Sequence, residues 1–359
     1  VPHHPTRMKA RRQSFWKVSV ASVAAVALTF VAIPGASAEE GHDPSNIGAI
    51  GAAEAIVPEI VAETVVDGFA SVAETDSAPS VIVDGLDYVE GQSPGIEFSV
   101  DYGTDVIGEV DGITVLETSS ELVEALVQPT SAGVRVLTVI ADASAPTSYD
   151  YTFDVPVGTT LTASDQLYYI ESGEDILGSL RLPWAVDADG DPVPTTYSWE
   201  GATLTQHVDL SHAGIDYPVV ADPAWGYTYS YNVKWTASKN SMLLRSCFNC
   251  YFPVSGAPRA FPSPGQILPL RVAGFNFECK FKSTFTGTNY FGFQFDATRN
   301  HVDGLGSNIV FEFRTVGGVK KLVVSAYIVN DAMWLNSPVY RGGALANWAT
   351  FASNLNNAY

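Results

Sequence analysis

Between Tyr227 and Trp235 every second residue is aromatic or apolar: Tyr227, Tyr229, Tyr231, Val233 and Trp235 alternate with Thr228, Ser230, Asn232 and Lys234. A two-residue period places one set of side chains on each face of an extended chain, so this stretch reads as a half-buried strand. The pattern recurs. Phe275, Phe277, Cys279 and Phe281 alternate with Asn276, Glu278, Lys280 and Lys282, and further strands are expected over Phe291 to Asp296, Asn308 to Thr315 and Val319 to Val329. Gly317-Gly318 supplies a tight hairpin turn between the last two. The final strand is apolar on both faces, which predicts a central position.

The same period runs through the middle of the chain with acidic outer faces. Ile96, Phe98, Val100 and Tyr102 alternate with Glu97, Ser99 and Asp101, and Tyr149, Tyr151, Phe153 and Val155 with Asp150, Thr152 and Asp154. Two segments change to helical spacing: Ile47 to Val72, interrupted by Pro58, and Leu345 to Leu355 on an uncharged terminal stretch. The predicted fold is mainly β. It consists of two antiparallel β domains of sandwich or barrel type, an N-terminal helical segment and a short C-terminal helix.

Charge divides these strands into two groups. Residues 39–222 carry 34 Asp and Glu against two basic residues, Arg135 and Arg181, whereas residues 223–359 carry five acids against twelve Lys and Arg. The whole-chain net charge of −20 averages over this reversal. At the N-terminus, Arg7, Lys9, Arg11, Arg12 and Lys17 precede an apolar stretch, Val18 to Val31, and an Ala36-Ser37-Ala38 cleavage site. That order is the order of a secretory signal. The expected organisation is a signal over 1–38, a helical or linker segment over 39–78, an acidic β pro-region or export module over 79–222 and a cationic β domain over 223–359. A secreted, extracellular chain follows.

The stretch Trp184-Ala185-Val186-Asp187-Ala188-Asp189-Gly190, with Leu204-Thr205-Gln206 and Tyr217-Pro218-Val219-Val220-Ala221-Asp222-Pro223, resembles a module of secreted actinobacterial proteins, where it precedes unrelated C-terminal domains. The resemblance covers about residues 130–225. It implies export and a junction near Asp222, and it carries no catalytic residues.

Several clusters could bear chemistry. Cys247 and Cys250 form a C-x-x-C, and with Cys279 and His301 they could supply three thiolates and an imidazole to zinc. In an oxidising compartment a disulfide from Cys279 to Cys250 or Cys247 is the expected alternative, with no metal bound. Asp187-x-Asp189-x-Asp191 begins like a calcium loop, but Pro192 and Ser198 stand where Gly and Glu are required, which points to a turn. His301 and Asp303 are the residue types of acid-base catalysis, set in a segment whose Asp303-Gly304 and Gly306-Ser307 dipeptides also make an ordinary loop.

The remaining signal is aromatic and cationic. Rings outside the strands, Phe248, Tyr251, Phe252, Phe261, Trp334 and Tyr340, together with Lys234, Lys280, Lys282, Arg314 and Lys320, would suit an anionic cell-envelope polymer or a membrane surface. The chain's own acidic segment is a second expected partner. Nucleic acid is not expected, because no recognition motif is present, and no cofactor motif is found. The functional expectation is a secreted bacterial preproprotein whose cationic domain binds an envelope component or acts as an antimicrobial-like effector. One alternative is a hydrolase zymogen using His301 and Asp303. Another is a structural cell-surface protein.

Overall fold

The computed structural model describes residues 48–65, 70–84, 94–272, 275–329 and 338–359. Among the described residues the strands form three sheets, and their pairings are antiparallel. The mainly β architecture follows from the alternation in the sequence.

Sheet I runs in the order Ala70–Ala73, Ser80–Val83, Ile96–Val100, Ser148–Phe153, Thr203–Val208, Thr195–Glu200. Its inner face presents Val81, Phe98, Val100, Tyr151, Phe153 and Leu204. These pack on Val127, Val134, Val136, Leu180 and Trp225 of sheet II, forming a β-sandwich. Sheet II runs Gly103–Val110, Ile113–Thr118, Val123–Thr130, Gly133–Ile140, Ala224–Gly226, Asp175–Arg181, Leu167–Ser172, Thr160–Ala163. Val219–Ala221 also pairs with Gly133–Ile140 and carries Ala185–Val186 on its other edge. Both strands that flank Asp222 therefore belong to sheet II, and sheet III begins at Thr228.

Gly133–Ile140 is buried at every position because both faces of sheet II are covered. The second face receives helix α1, Gly48–Ile56, through Ala49, Ile50 and Ala53 against Val115, Leu126, Leu137 and Val139. Pro58 stands in the first turn of a short second helix, α2, Pro58–Val61; the helical spacing expected as far as Val72 does not hold there, because Ala70–Ala73 is the edge strand of sheet I, held by pairing with Ser80–Val83.

Sheet III runs Thr228–Asn232, Val319–Tyr327, Asn308–Val316, Phe291–Ala297, Phe275–Thr286, Ile267–Val272. One face carries Phe281, Phe291, Phe293, Phe295, Phe311, Phe313, Leu322 and Val324. It is covered by helices α3, Ala237–Ser246, α4, Phe248–Tyr251, and α5, Pro338–Asn356, which contribute Leu244, Phe248, Phe351 and Leu355. The second layer on this face is thus helical. The rings interlock within the sheet and across the layers, as in Phe293–Phe311 at 5.1 Å and Phe311–Trp348 at 4.8 Å.

The opposite face of sheet III is covered in part. Val310, Val316, Val323 and Phe285 pack on Leu167, Tyr169 and Ile176 of sheet II, a shared apolar cluster between the acidic and basic parts. Two hairpin tips meet at the rim of this contact. Gly317 has φ 56°, and a Cβ there would stand 2.3 Å from the Gly173 carbonyl oxygen, whereas a Cβ on Gly318, at φ 88°, meets nothing within 4 Å. Gly317→Ala is expected to lose about 1 kcal/mol to the left-handed backbone and about 1–3 kcal/mol more to the collision, and Gly318→Ala only the first. Urea unfolding of both variants checks this; equal losses would mean that the tips do not abut.

Candidate functional site

The His301 loop joins the strands Phe291–Ala297 and Asn308–Val316. His301 lies edge-on to Phe277, with ring centres 5.0 Å apart, and its Nδ1 is 3.6 Å from Asp303 Oδ2. The Asp303 backbone N–H donates to the same Nδ1 at 3.1 Å, which places the ring proton on Nε2. Catalysis by a histidine general base needs the reverse: Nδ1–H held by the carboxylate, and Nε2 free to accept. Burial lowers the His301 pKa, and the Asp303 charge only partly opposes this, so the ring is neutral. The nearby hydroxyl is also committed. Ser307 Oγ donates to the Asp303 carbonyl at 2.5 Å and accepts from the Val329 N–H at 2.8 Å. These bonds stitch a loop together.

Beside the loop lies a cleft of about 510 Å³ lined by Arg271, Asn276, Phe277, Glu278 and Asn300. Glu278 accepts from Thr298 Oγ1 at 2.9 Å, and Arg271 Nε donates to Asn276 at 2.7 Å.

The cysteines differ from the expected pairing. Cys247 and Cys250 are joined in a disulfide, their Cα atoms 5.3 Å apart across the single turn of α4, and Cys279 is a buried thiol. The correction is one of local geometry. A one-turn helix brings residues three apart into bridging range, while Cys279 faces the core of sheet III among Leu268, Leu270 and Phe281. Burial, with the charges of Asp303, Asp296 and Glu278, pushes that thiol up to about 12, so it is inert. Asp187 is likewise consumed: its carboxylate accepts backbone N–H groups from Asp189, Asp191 and Asp216.

The expected aromatic surface is largely core. Phe248 is fully buried, stacked on Phe252 at 4.8 Å, and Phe261 caps Phe281 at 5.6 Å. Rings outside strands looked available only because the helices that carry them inward leave no two-residue pattern. Tyr251 is half-buried. Trp334 and the Tyr340 side chain lie outside the described residues. Lys280 and Lys282 are exposed, as are Lys234, Arg245, Arg259, Arg271 and Arg299. Among the described residues none of these seven forms an ion pair.

Arg314 is the exception. It is buried where sheets II and III meet, 2.6 Å from Glu171 of the acidic part and 2.9 Å from Glu312 on its own strand, with its guanidinium 4.2 Å from the Tyr169 ring centre. The two basic residues of the acidic part do the converse. Arg135 reaches Glu63 at 3.0 Å and the Tyr327 hydroxyl at 3.2 Å, and Arg181 lies 4.0 Å over the Tyr327 ring. Arg314, expected on an anion-binding surface, is instead covered with Glu312 by sheet II.

Comparison with protein-family models, with curated proteins and with solved structures finds no match.

Burial pushes the carboxyl of Glu312 up to about 7 despite the adjacent Arg314, and that of Asp222 up to about 7 despite hydrogen bonds from Trp184 N–H and Tyr197 Oη. The folded chain keeps these protons up to about pH 7, whereas the unfolded chain releases them in the ordinary carboxylate range. Stability from the two groups is therefore full at the acid end and is lost as pH rises through about 7. The thermal midpoint is expected to be higher at about pH 5 than at about pH 8. Glu312→Gln should flatten that profile, and an unchanged slope would contradict the assignment.

Proposed function

We propose that the protein is an exported, two-part binding protein whose cationic C-terminal part engages an anionic polymer of the cell envelope. The observation that carries this reading is the set of seven exposed lysines and arginines that make no ion pair among the described residues. The acidic part has 34 carboxylates, yet among the described residues the ion pair it offers to the basic part is Glu171 with Arg314. The remaining positive charge is left for a partner outside the chain. At a Debye length of about 8 Å, a polymer segment on this surface feels the local cations more than distant acids.

The acidic part is best understood as a lasting half of the core. Separation would expose Phe285, Val310, Val316 and Val323 together with the buried Arg314, which weighs against release of a free effector. The C-x-x-C disulfide suits an oxidising compartment, and no helix among the described residues is long and apolar enough to cross a membrane. The hydrogen bonding of His301 gives no support to a hydrolase.

Binding to immobilised poly(glycerol phosphate) and to neutral dextran at physiological ionic strength tests the proposal. The chain is expected to prefer the anionic polymer. Lys280→Glu with Lys282→Glu should weaken that binding by roughly tenfold, about 1.4 kcal/mol, with an unchanged thermal midpoint. Equal retention on dextran, or an unaffected double variant, would overturn it.

A further inference from the structure

A cavity of about 40 Å³ lies between sheets II and III, lined among others by Arg135, Arg181, Ser179, Trp225 and Tyr327. Its lining is rich in donors that lack acceptors. Arg135, 1% exposed, gives Nη1 to Gln128 and Nη2 to Glu63 and Tyr327, but its Nε–H has no partner. The buried indole N–H of Trp225 is also unpartnered. Arg181 stacks on the Tyr327 ring and makes no hydrogen bond or ion pair among the described residues, although a guanidinium carries five N–H donors.

The charges leave the same deficit. Glu63 balances Arg135. The other acid near the two arginines is Asp222, fully buried, with Oδ1 already accepting from Trp184 N–H and Tyr197 Oη. Its carboxyl is pushed up to about 7 by burial, so near neutral pH it offsets Arg181 only in part. Arg181 is half-buried and no carboxylate lies within ion-pair range of it among the described residues, so beside the unpartnered Arg135 Nε–H and Trp225 N–H the cavity keeps a positive charge that an anion can offset. The space is small: liquid water occupies about 30 Å³ per molecule, which limits the occupant to about one small ion or one water.

We propose that this cavity is a binding site for a small monovalent anion of halide size, held by Arg181 and Arg135 where the acidic part meets the basic part. The ion is structural. It neutralises the guanidinium that no carboxylate reaches and binds the folded chain only.

Crystals of the chain beginning at Glu39, grown in sodium bromide, test the site directly. An anomalous bromine peak is expected in the cavity beside Arg181. Thermal unfolding in chloride or bromide against gluconate at matched ionic strength should show a saturable halide-specific rise of about 2–3 °C at roughly ten times the dissociation constant. Arg181→Met, which keeps much of the side-chain bulk, should lose that rise. A cavity without anomalous signal overturns the proposal, even if halide stabilises the protein, because the ion would then act elsewhere. Identical midpoints in halide and gluconate overturn it as well. Should Arg181→Met fail to fold, the bromide map of the unaltered chain decides.

Discussion

A guanidinium removed from water needs partners, and two such groups, Arg314 and Arg135, stand where sheet II meets sheet III, beside the half-buried Arg181. Arg314 comes from the basic part and takes Glu171 and the Tyr169 ring of the acidic part. Arg135 and Arg181 come from the acidic part and take the hydroxyl and the ring of Tyr327. Each part thus sets at least one cation against the other. Removing one partner of a buried pair costs about 3–5 kcal/mol, so these contacts make the docking demanding about which strands face each other. The net attraction comes chiefly from apolar burial: residues such as Val310, Val316, Val323, Ile176 and Phe285 are each worth about 1.5–3 kcal/mol when fully covered.

The reversal of charge along the chain acquires a different meaning from this geometry. Direct pairing of the acidic half with the exposed cations of the basic half is not what closes the contact, since among the described residues those cations form no ion pair. The two basic residues of the acidic part, Arg135 and Arg181, are both spent at the contact. Burial also explains why Glu312 at the contact, and Asp222 beside Trp184 and Tyr197 within the acidic part, hold protons that exposed carboxylates would release. Packing therefore sets both the charge that is hidden and the charge left for function.

Much of the fold was legible because a two-residue period has few other causes. The hairpin over Asn308–Val316 and Val319–Tyr327 is readable from its alternation and its Gly317-Gly318 turn, and the apolar residues on both faces of its second strand announced that both faces are covered. The helix α3 was less visible. Its signals are local, a Thr236 cap accepting from the Lys239 N–H and the spacing of Asn240, Leu243 and Leu244, and they sit in a short polar stretch. Phe248 and Phe252 consequently looked like surface rings. The expectation of a surface Arg314 fails for another reason: alternation identifies a second face but does not say whether water or another sheet covers it. The partner of Arg314 lies 143 residues away at Glu171, beyond any local pattern. Cys279 was assigned a bridge on compartment and count, while a single helical turn decided the pairing.

The central claim is that the acidic and basic parts share one core and fold as one unit. Scanning calorimetry of the chain from Glu39 onward measures this most directly, through the ratio of the van't Hoff to the calorimetric enthalpy. One transition with a ratio near one is the result expected of a core shared across Tyr169, Val323 and Arg314. Two separable transitions, or a basic part that melts at the same temperature when expressed alone, would contradict it.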